Sequence, residues 1–454
     1  MGMPTDLSGC ETSLSCASAV GHWNGTVHGF LSHSAATPTA LAATLDAAPD
    51  FAQAHAARGL FCLLLGRAEL EDAARDALRA AEAAGGGTKR ERIYVDALRA
   101  WLAGYPSRAA SALEDLLHRW PEDALAMKLV QSIRFLLGQP GHMRAALEAI
   151  APAYADHAAA GYWHGCHAFT LEETGEYARA EAAAHRGLEQ TSDDAWGLHA
   201  LAHVYDMTAR AEIGVVWLQT QTAAWGHCNN FRYHVWWHIA LMHVDLGDYD
   251  AALALYDSEI RADRTDDYRD ISNGASLLSR LEIEGVDVGP RWEELAKISE
   301  HRVEDGCLVF ADLHYMLSLM GGARSGAVRR MLARMAETAE KPGGEREAIF
   351  RRPGLSAARG LEAYAEGRYA SAFANLRAAR PDMQTIGGSH AQRDVFERLT
   401  IEAALRGGYL SAAEEILAER QKRRGGAEDG YTARRRDLIS TARRDARPVA
   451  LTMP

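Results

Sequence analysis

Four segments of this 454-residue chain share one spacing. Gly175, Gly247, Gly367 and Gly407 are followed two residues later by Tyr177, Tyr249, Tyr369 and Tyr409, and three residues after that by Ala180, Ala252, Ala372 and Ala412. A helix-length stretch precedes each glycine and another follows it. Glycine permits a tight turn between helices, the tyrosine covers that turn, and the small alanine lets the two helices approach closely. Weaker copies surround Gly66 and Gly104, the latter closed by Pro121, and in residues 195–228 Ala209 takes the place of the turn glycine. No segment sustains the apolar–polar alternation of a strand, so β-structure is expected to be nearly absent. Length alone suggests about three domains, but that prior does not apply to a repeat array.

A helix–turn–helix unit of about 34 residues resembles the tetratricopeptide repeat. The expected fold is an all-α, tetratricopeptide-type α-solenoid, curved or closed into a superhelix. The array is expected over residues 30–415, with a histidine-rich centre at 157–245. Residues 1–29 form an N-terminal segment, and 416–454 a basic C-terminal extension that reads as solvated and partly disordered. Residues 260–335 keep helical periodicity in a different pattern, and 337–354 read as a connecting loop. Ser389 and Gln392 have the spacing of a capping box and open a helix.

Composition narrows the function classes. Hydrophobic residues make up 48% and charged residues 24%, and no apolar run approaches the roughly 18 residues that span a bilayer. The first twenty residues lack a basic-to-apolar leader, so the cytoplasm is the expected location. The six cysteines include no C-x-x-C pair and read as reduced, small apolar residues. A net charge of −12 disfavours nonspecific binding to nucleic acid. There is no P-loop, no G-x-S-x-G elbow and no dinucleotide fingerprint.

The strings "DAWGLHALAHVYDM", "YHVWWHIAL", "SLLSRLEIEGVDVGPRW", "FADLHYML" and "GGSHAQRDVFERLTIEAAL" resemble the signature segments of the tetratricopeptide repeat protein 38 family, across roughly residues 30–415. The resemblance implies a helical repeat fold and carries no reaction with it. Its signature segments map onto His199 and His203, His234 and His238, Asp312 and His314, and Gln392, Arg393 and Asp394. His164 and His167 fall outside the pattern and are weaker candidates.

In such arrays the first helix of each hairpin lines the concave face. Counting back from the turns puts Tyr162, Gly165, Phe169, Glu172 and Glu173 on that face, followed in the next two repeats by Trp196, His199, His203, Asp206 and Met207, and by His234, Trp237, Leu241, Val244 and Asp245. His238 lies one position off the groove and is expected to be packed between helices. Two histidines four apart on one helix face can offer two imidazoles to one metal. His234 or Glu172 would supply the third ligand and leave a position for water on zinc or iron, whose lowered pKa makes a nucleophile. Without a metal, His199, His203, His234 and Glu172 are placed for general acid–base catalysis. A third reading makes the cluster inert polar packing.

Around these four catalytic candidates, Glu173, Asp206, Trp196, Trp237, His238, His314 and Arg393 are candidate ligand-binding residues. Asp312 and His314, two apart, cannot share a helix face, and His314 is the one expected in the groove. Arg393 and Asp394 can bind a carboxylate ligand, but structural ion pairing is the favoured role. Trp225, Trp236 and Trp237 can stack on a ligand or belong to the core. A groove of His, Glu, Asp and Trp, rather than Lys, Arg and Asn, favours a small molecule, with hydrolysis as the reaction. The alternative is a non-enzymatic scaffold holding a peptide. Assembly as a homo-oligomer stays open.

Overall fold

A computed structural model describes residues 3–445. It is all-helical: among the described residues no strand forms, and only two isolated bridges occur, Thr5 with Glu11 and Ser34 with Cys228. Consecutive helices pack as antiparallel hairpins, such as Ala160–Glu173 with Tyr177–Gln190 and Ala195–Met207 with Ala211–Thr220. None of the helices is long and apolar enough to cross a membrane.

The turns explain the spacing. At Gly175 the backbone takes φ +84°. The Gly175 N–H donates to the Glu172 carbonyl at 2.9 Å and the Glu176 N–H to the Leu171 carbonyl at 2.8 Å, the paired bonds of a Schellman cap. Gly247 and Gly367 repeat this geometry, and Ala180, Ala252 and Ala372 are fully buried in the second helices. The last copy is one residue out of register with the expectation. Gly407 keeps a negative φ of −82°, Gly408 takes the left-handed conformation at +81°, and Ala413 rather than Ala412 is fully buried. With two adjacent glycines, the one at the cap position is decided by where the helix ends.

Ala209 makes the same turn without glycine, at φ +54°, with its N–H on the Asp206 carbonyl at 3.1 Å and the Arg210 N–H on that of Tyr205 at 2.8 Å. A side chain in the left-handed region costs about 1 kcal/mol. Ala209 is exposed, so Ala209→Gly is expected to raise the urea midpoint of unfolding by the equivalent of about 0.5–1 kcal/mol. A lowered midpoint would show that the strain argument is misplaced.

The first helices of the central hairpins are buried along most of their length, whereas their partners bury only one side. This inner layer is covered, not open. Turns of the first half meet the second half in sequence order. A Cβ at Gly66 would strike Leu308, and one at Gly344 the Gly104 carbonyl. The Gln384 side chain donates to the Gly138 carbonyl at 3.1 Å, the His390 N–H donates to Glu173 at 2.7 Å, and Arg424 holds Asp206. The expected concave groove is therefore closed over by the chain's own C-terminal half.

Two segment expectations are corrected. Residues 337–354 are not one loop: the helix Ser325–Glu340 runs into them and Glu345–Ile349 is again helical. Residues 345–349 are good helix formers, and Glu345 is anchored by the Ser107 N–H at 3.0 Å. Nor are residues 416–445 a solvated extension, because Tyr431 is fully buried and Arg420, Arg424 and Arg435 nearly so. Their charges meet Asp394, Asp429, Glu284 and Glu402. The remaining residues of that expected extension, 446–454, lie outside the described ones. The N-terminal segment also joins the body, through Trp23 in the core and the Asp6–Arg90 pair at 2.7 Å.

The C-terminal ion pairs make a prediction about acid. Burial opposes ionisation of Asp394 and Asp429, but Arg420, with Arg398 beside the first and Arg424 beside the second, outweighs it and holds both carboxyls well below the usual range. A depressed carboxyl stabilises the fold fully above the unfolded pKa of about 4 and less as pH falls below it. Hydrogen exchange of amides 430–445 is expected to accelerate below about pH 4 relative to the core. Uniform acceleration across the molecule would contradict local anchoring by these pairs.

Candidate functional site

The histidines meet inside the inner layer. Ala195–Met207 supplies His199 and His203 from one face, and Phe231–Leu246 supplies His234 and His238 from the facing helix. His199, His203 and His238 are almost completely buried and His234 partly so. The Nε2 atom of His199 lies 3.0 Å from Nε2 of His203 and 3.0 Å from Nε2 of His234. Ring centroids of His238 lie 4.5 Å from His203 and 4.7 Å from His234. One ligand atom from each of the four histidines falls within 4.8 Å of the others. His238, expected to be packed between helices, is fully buried there: i, i+4 spacing keeps it beside His234, and the facing helix brings it to His203.

One outer nitrogen is held from behind. His234 Nδ1 lies 2.9 Å from Asn273 Oδ1; the amide oxygen accepts, so Nδ1 carries the proton and Nε2 keeps its lone pair. His203 Nδ1 lies 3.5 Å from Glu172 Oε2, both side chains being fully buried. Glu172 has no hydrogen-bond partner for either oxygen, and His238 has none for either nitrogen. Desolvation pushes the Glu172 carboxyl well above the usual range. It also pushes His199, His203 and His238 well below the usual imidazole value, and His234 down to about 4 despite its Asn273 bond. All four rings are therefore neutral near pH 7.

These facts decide what the two 3.0 Å contacts can be. With His234 Nε2 bare, His199 must carry a proton on Nε2 to meet it, and that one proton cannot also make a linear bond to His203. If His199 Nε2 is bare instead, two lone pairs face each other. No neutral arrangement makes both contacts good hydrogen bonds. A cation placed among the three lone pairs satisfies them together. Zinc–nitrogen bonds of about 2.0–2.1 Å in tetrahedral array put neighbouring ligands about 3.3 Å apart, close to the observed spacing. An outer-nitrogen partner such as Asn273 is how metal-binding imidazoles are oriented.

An aromatic wall surrounds the cluster. Phe169 stacks on His199 at 5.6 Å, Trp196 and Phe231 lie 5.0 and 5.2 Å from the same ring, and Trp237 stacks on His234 at 5.0 Å. Trp237 donates its indole N–H to Ser276 at 3.1 Å. His33, from the N-terminal region, stacks on Trp196 and Phe231.

The other sequence candidates separate. Glu173 accepts from the His390 N–H and faces Arg393 while keeping an oxygen within 4.8 Å of a His203 nitrogen, and Asp206 is bound by Arg424. His314 is buried between Phe310 and Phe396 with Nδ1 2.8 Å from the Phe310 carbonyl, so it packs and does not join the cluster. Asp312 pairs with Arg334 at 2.7 Å, and Asp394 with Arg398 and Arg420. His167 faces Glu148 at 3.4 Å, away from the cluster. Asn273, His390 and His33 were not singled out by sequence reasoning. The one signal for Asn273 is an amide in a helix, Tyr268–Ile283, that is buried on nearly all sides and so has to find a polar partner. No protein-family model matches the chain.

Proposed function

We propose that this chain is a tetratricopeptide-type α-solenoid of the tetratricopeptide repeat protein 38 kind, acting in the cytoplasm, whose closed interior holds a divalent cation, zinc or iron, and hydrolyses a small molecule there. The observation that carries the reading is the convergence of the neutral Nε2 atoms of His199, His203 and His234, the last ring oriented from behind by Asn273 and a buried Glu172 carboxyl lying 3.5 Å from His203. The recurring Schellman-capped hairpins support the tetratricopeptide part.

A cation bound by imidazoles supplies a Lewis acid and lowers the pKa of a water to about 7. The chain's own groups do the rest. Asn273 holds the ring orientation of His234, and the Glu172 carboxyl lies buried beside His203. His238, neutral and without a hydrogen-bond partner, is placed to take and return a proton beside the three ligands. Phe169, Trp196 and Phe231 keep bulk solvent from the site, which strengthens every charge interaction inside it.

Elemental analysis of untagged protein, purified without chelator, tests the reading. Near-stoichiometric zinc or iron is expected in wild type, and none in His199→Ala/His203→Ala with its helical circular dichroism intact. Equal, trace metal in both would remove the metal centre. A panel of ester, amide and phosphoester substrates then tests hydrolysis, with turnover expected in wild type and lost in His238→Ala. Metal without turnover on the panel, together with capture of a defined peptide, would favour the scaffold reading.

A further inference from the structure

A cavity of about 270 Å³ opens between the C-terminal end of the Ala195–Met207 helix, the Arg380–Ile386 segment and the His390–Arg406 and Leu410–Arg423 helices. Five guanidinium groups line it: Arg380, Arg393, Arg420, Arg423 and Arg424. Three are spent on carboxylates. Arg380 and Arg423 bind Glu397 at 2.8 and 2.6 Å, and Arg420 is held between Asp394 and Asp429 at 2.7 and 2.6 Å.

Arg393 and Arg424 are different. Arg393 directs Nη1 at the backbone carbonyls of Gly387 and Gly388. Its Nη2 meets Glu173 Oε2 only at 3.5 Å, well beyond the roughly 2.7–2.9 Å of a good charge-assisted bond. Arg424 grips Asp206 with Nη2, but its Nη1 faces the Met207 thioether at 3.5 Å, a weak acceptor, and its buried Nε makes no hydrogen bond, only a 3.7 Å approach to Asp429. Their side chains are only 10% and 5% exposed, so idle N–H groups cannot turn to bulk water. A buried cation with unused donors is costly, and an oxyanion that offers two oxygens, carboxylate or phosphate, is the group that satisfies a guanidinium fork.

The cavity also has the right place. Arg423, 46% exposed, stands at its mouth, while Met207 lies inside, four residues and thus about one helical turn from His203. Glu173 bridges the two regions, offering an oxygen within 4.8 Å of a ring nitrogen of His203 and another to Arg393 at 3.5 Å. The geometry points to Arg393 and Arg424 as the seat of an oxyanion group, carboxylate or phosphoryl, on the substrate whose reacting bond lies at the histidines. The substrate is then a small acid or phosphate ester. This rests on the reading of the interior as a small-molecule site.

Calorimetric titration of the metal-loaded protein with inorganic phosphate and, separately, with succinate tests the seat. Saturable one-site binding of at least one probe is expected, weakened tenfold or more by Arg393→Gln and by Arg424→Gln. Phosphate binding without succinate assigns a phosphoryl group, and the reverse assigns a carboxylate. If either glutamine variant loses its near-ultraviolet circular dichroism, Arg393→Lys gives the answer, because it keeps the charge and loses the fork; a severalfold weakening is expected. His199→Ala separates this inference from the one it rests on, since it removes the metal ligand while the anion still binds. Arginine-dependent anion binding in a protein that never holds metal would keep the seat and remove the metal reading. Metal without saturable anion binding, or binding equal to wild type in every arginine variant, would overturn the seat.

Discussion

Stripping the protein with a chelator is expected to lower its unfolding midpoint, and zinc at about a thousandfold excess over its dissociation constant to restore about 4 kcal/mol. The expectation follows from burial. In stripped protein, three imidazole lone pairs and the Glu172 carboxyl lie inside an aromatic wall with too few partners, an arrangement the apolar interior penalises. A cation removes that penalty only in the folded state, because the unfolded chain scatters ligands that come from two helices. His199→Ala takes away the nitrogen that both other rings approach, so its midpoint is expected to be insensitive to zinc and chelator alike. Asn273→Ala keeps the three ligands and removes only the group behind His234, so it should weaken metal binding by about 10–100-fold without abolishing it. Differential scanning fluorimetry across a zinc titration reads all three proteins. A wild-type midpoint that does not move would rule out a metal-stabilised interior.

Arg420→Ala is expected to cost about 3–5 kcal/mol, the penalty for breaking a buried ion pair from one side. Arg420 bonds to Asp394 at 2.7 Å, to Asp429 at 2.6 Å and to the Thr432 hydroxyl at 3.0 Å, and is itself nearly buried. Its loss leaves two buried carboxylates that Arg398 and Arg424 only partly compensate. The damage should be local first. Because the C-terminal helices cover the inner layer, limited proteolysis is expected to cut near the Arg424–Asp429 connection well before the core unfolds. Arg420→Lys keeps the charge without the fork and should lose less. A wild-type proteolysis pattern in Arg420→Ala would mean that apolar contacts such as buried Tyr431 hold these helices without the ion pairs.

Much of the local structure was legible because its causes are local. The Schellman turn needs a residue that tolerates positive φ at one position and a small residue five further on, and Gly175 with Ala180 carry both requirements in the sequence. The capping box at Ser389 and Gln392 forms as its spacing predicts, for the same reason. Where two adjacent residues could serve, as at Gly407 and Gly408, spacing alone picked the wrong one, since helix length depends on packing. His238 shows the limit of counting from the turn: the count puts it between helices, but only the packing of the facing helix brings it against His199 and His203.

Helix periodicity, turn chemistry and the pairing of histidines at i, i+4 are properties of a few consecutive residues, and they alone determine that this chain is all-helical, built from hairpins, with two imidazoles offered by each of two helices. Tertiary structure decided everything that depends on residues far apart in the chain. It set three Nε2 atoms within 3.0 Å contacts, put Asn273 behind His234, folded the basic C-terminal helices over the groove, and placed Arg393 and Arg424 beside a cavity one turn from His203. The division has a physical reason. Local preferences are set by backbone sterics and side-chain volume at each position, whereas closure of the array is the sum of many weak contacts between distant segments, none of which leaves its own mark in the sequence.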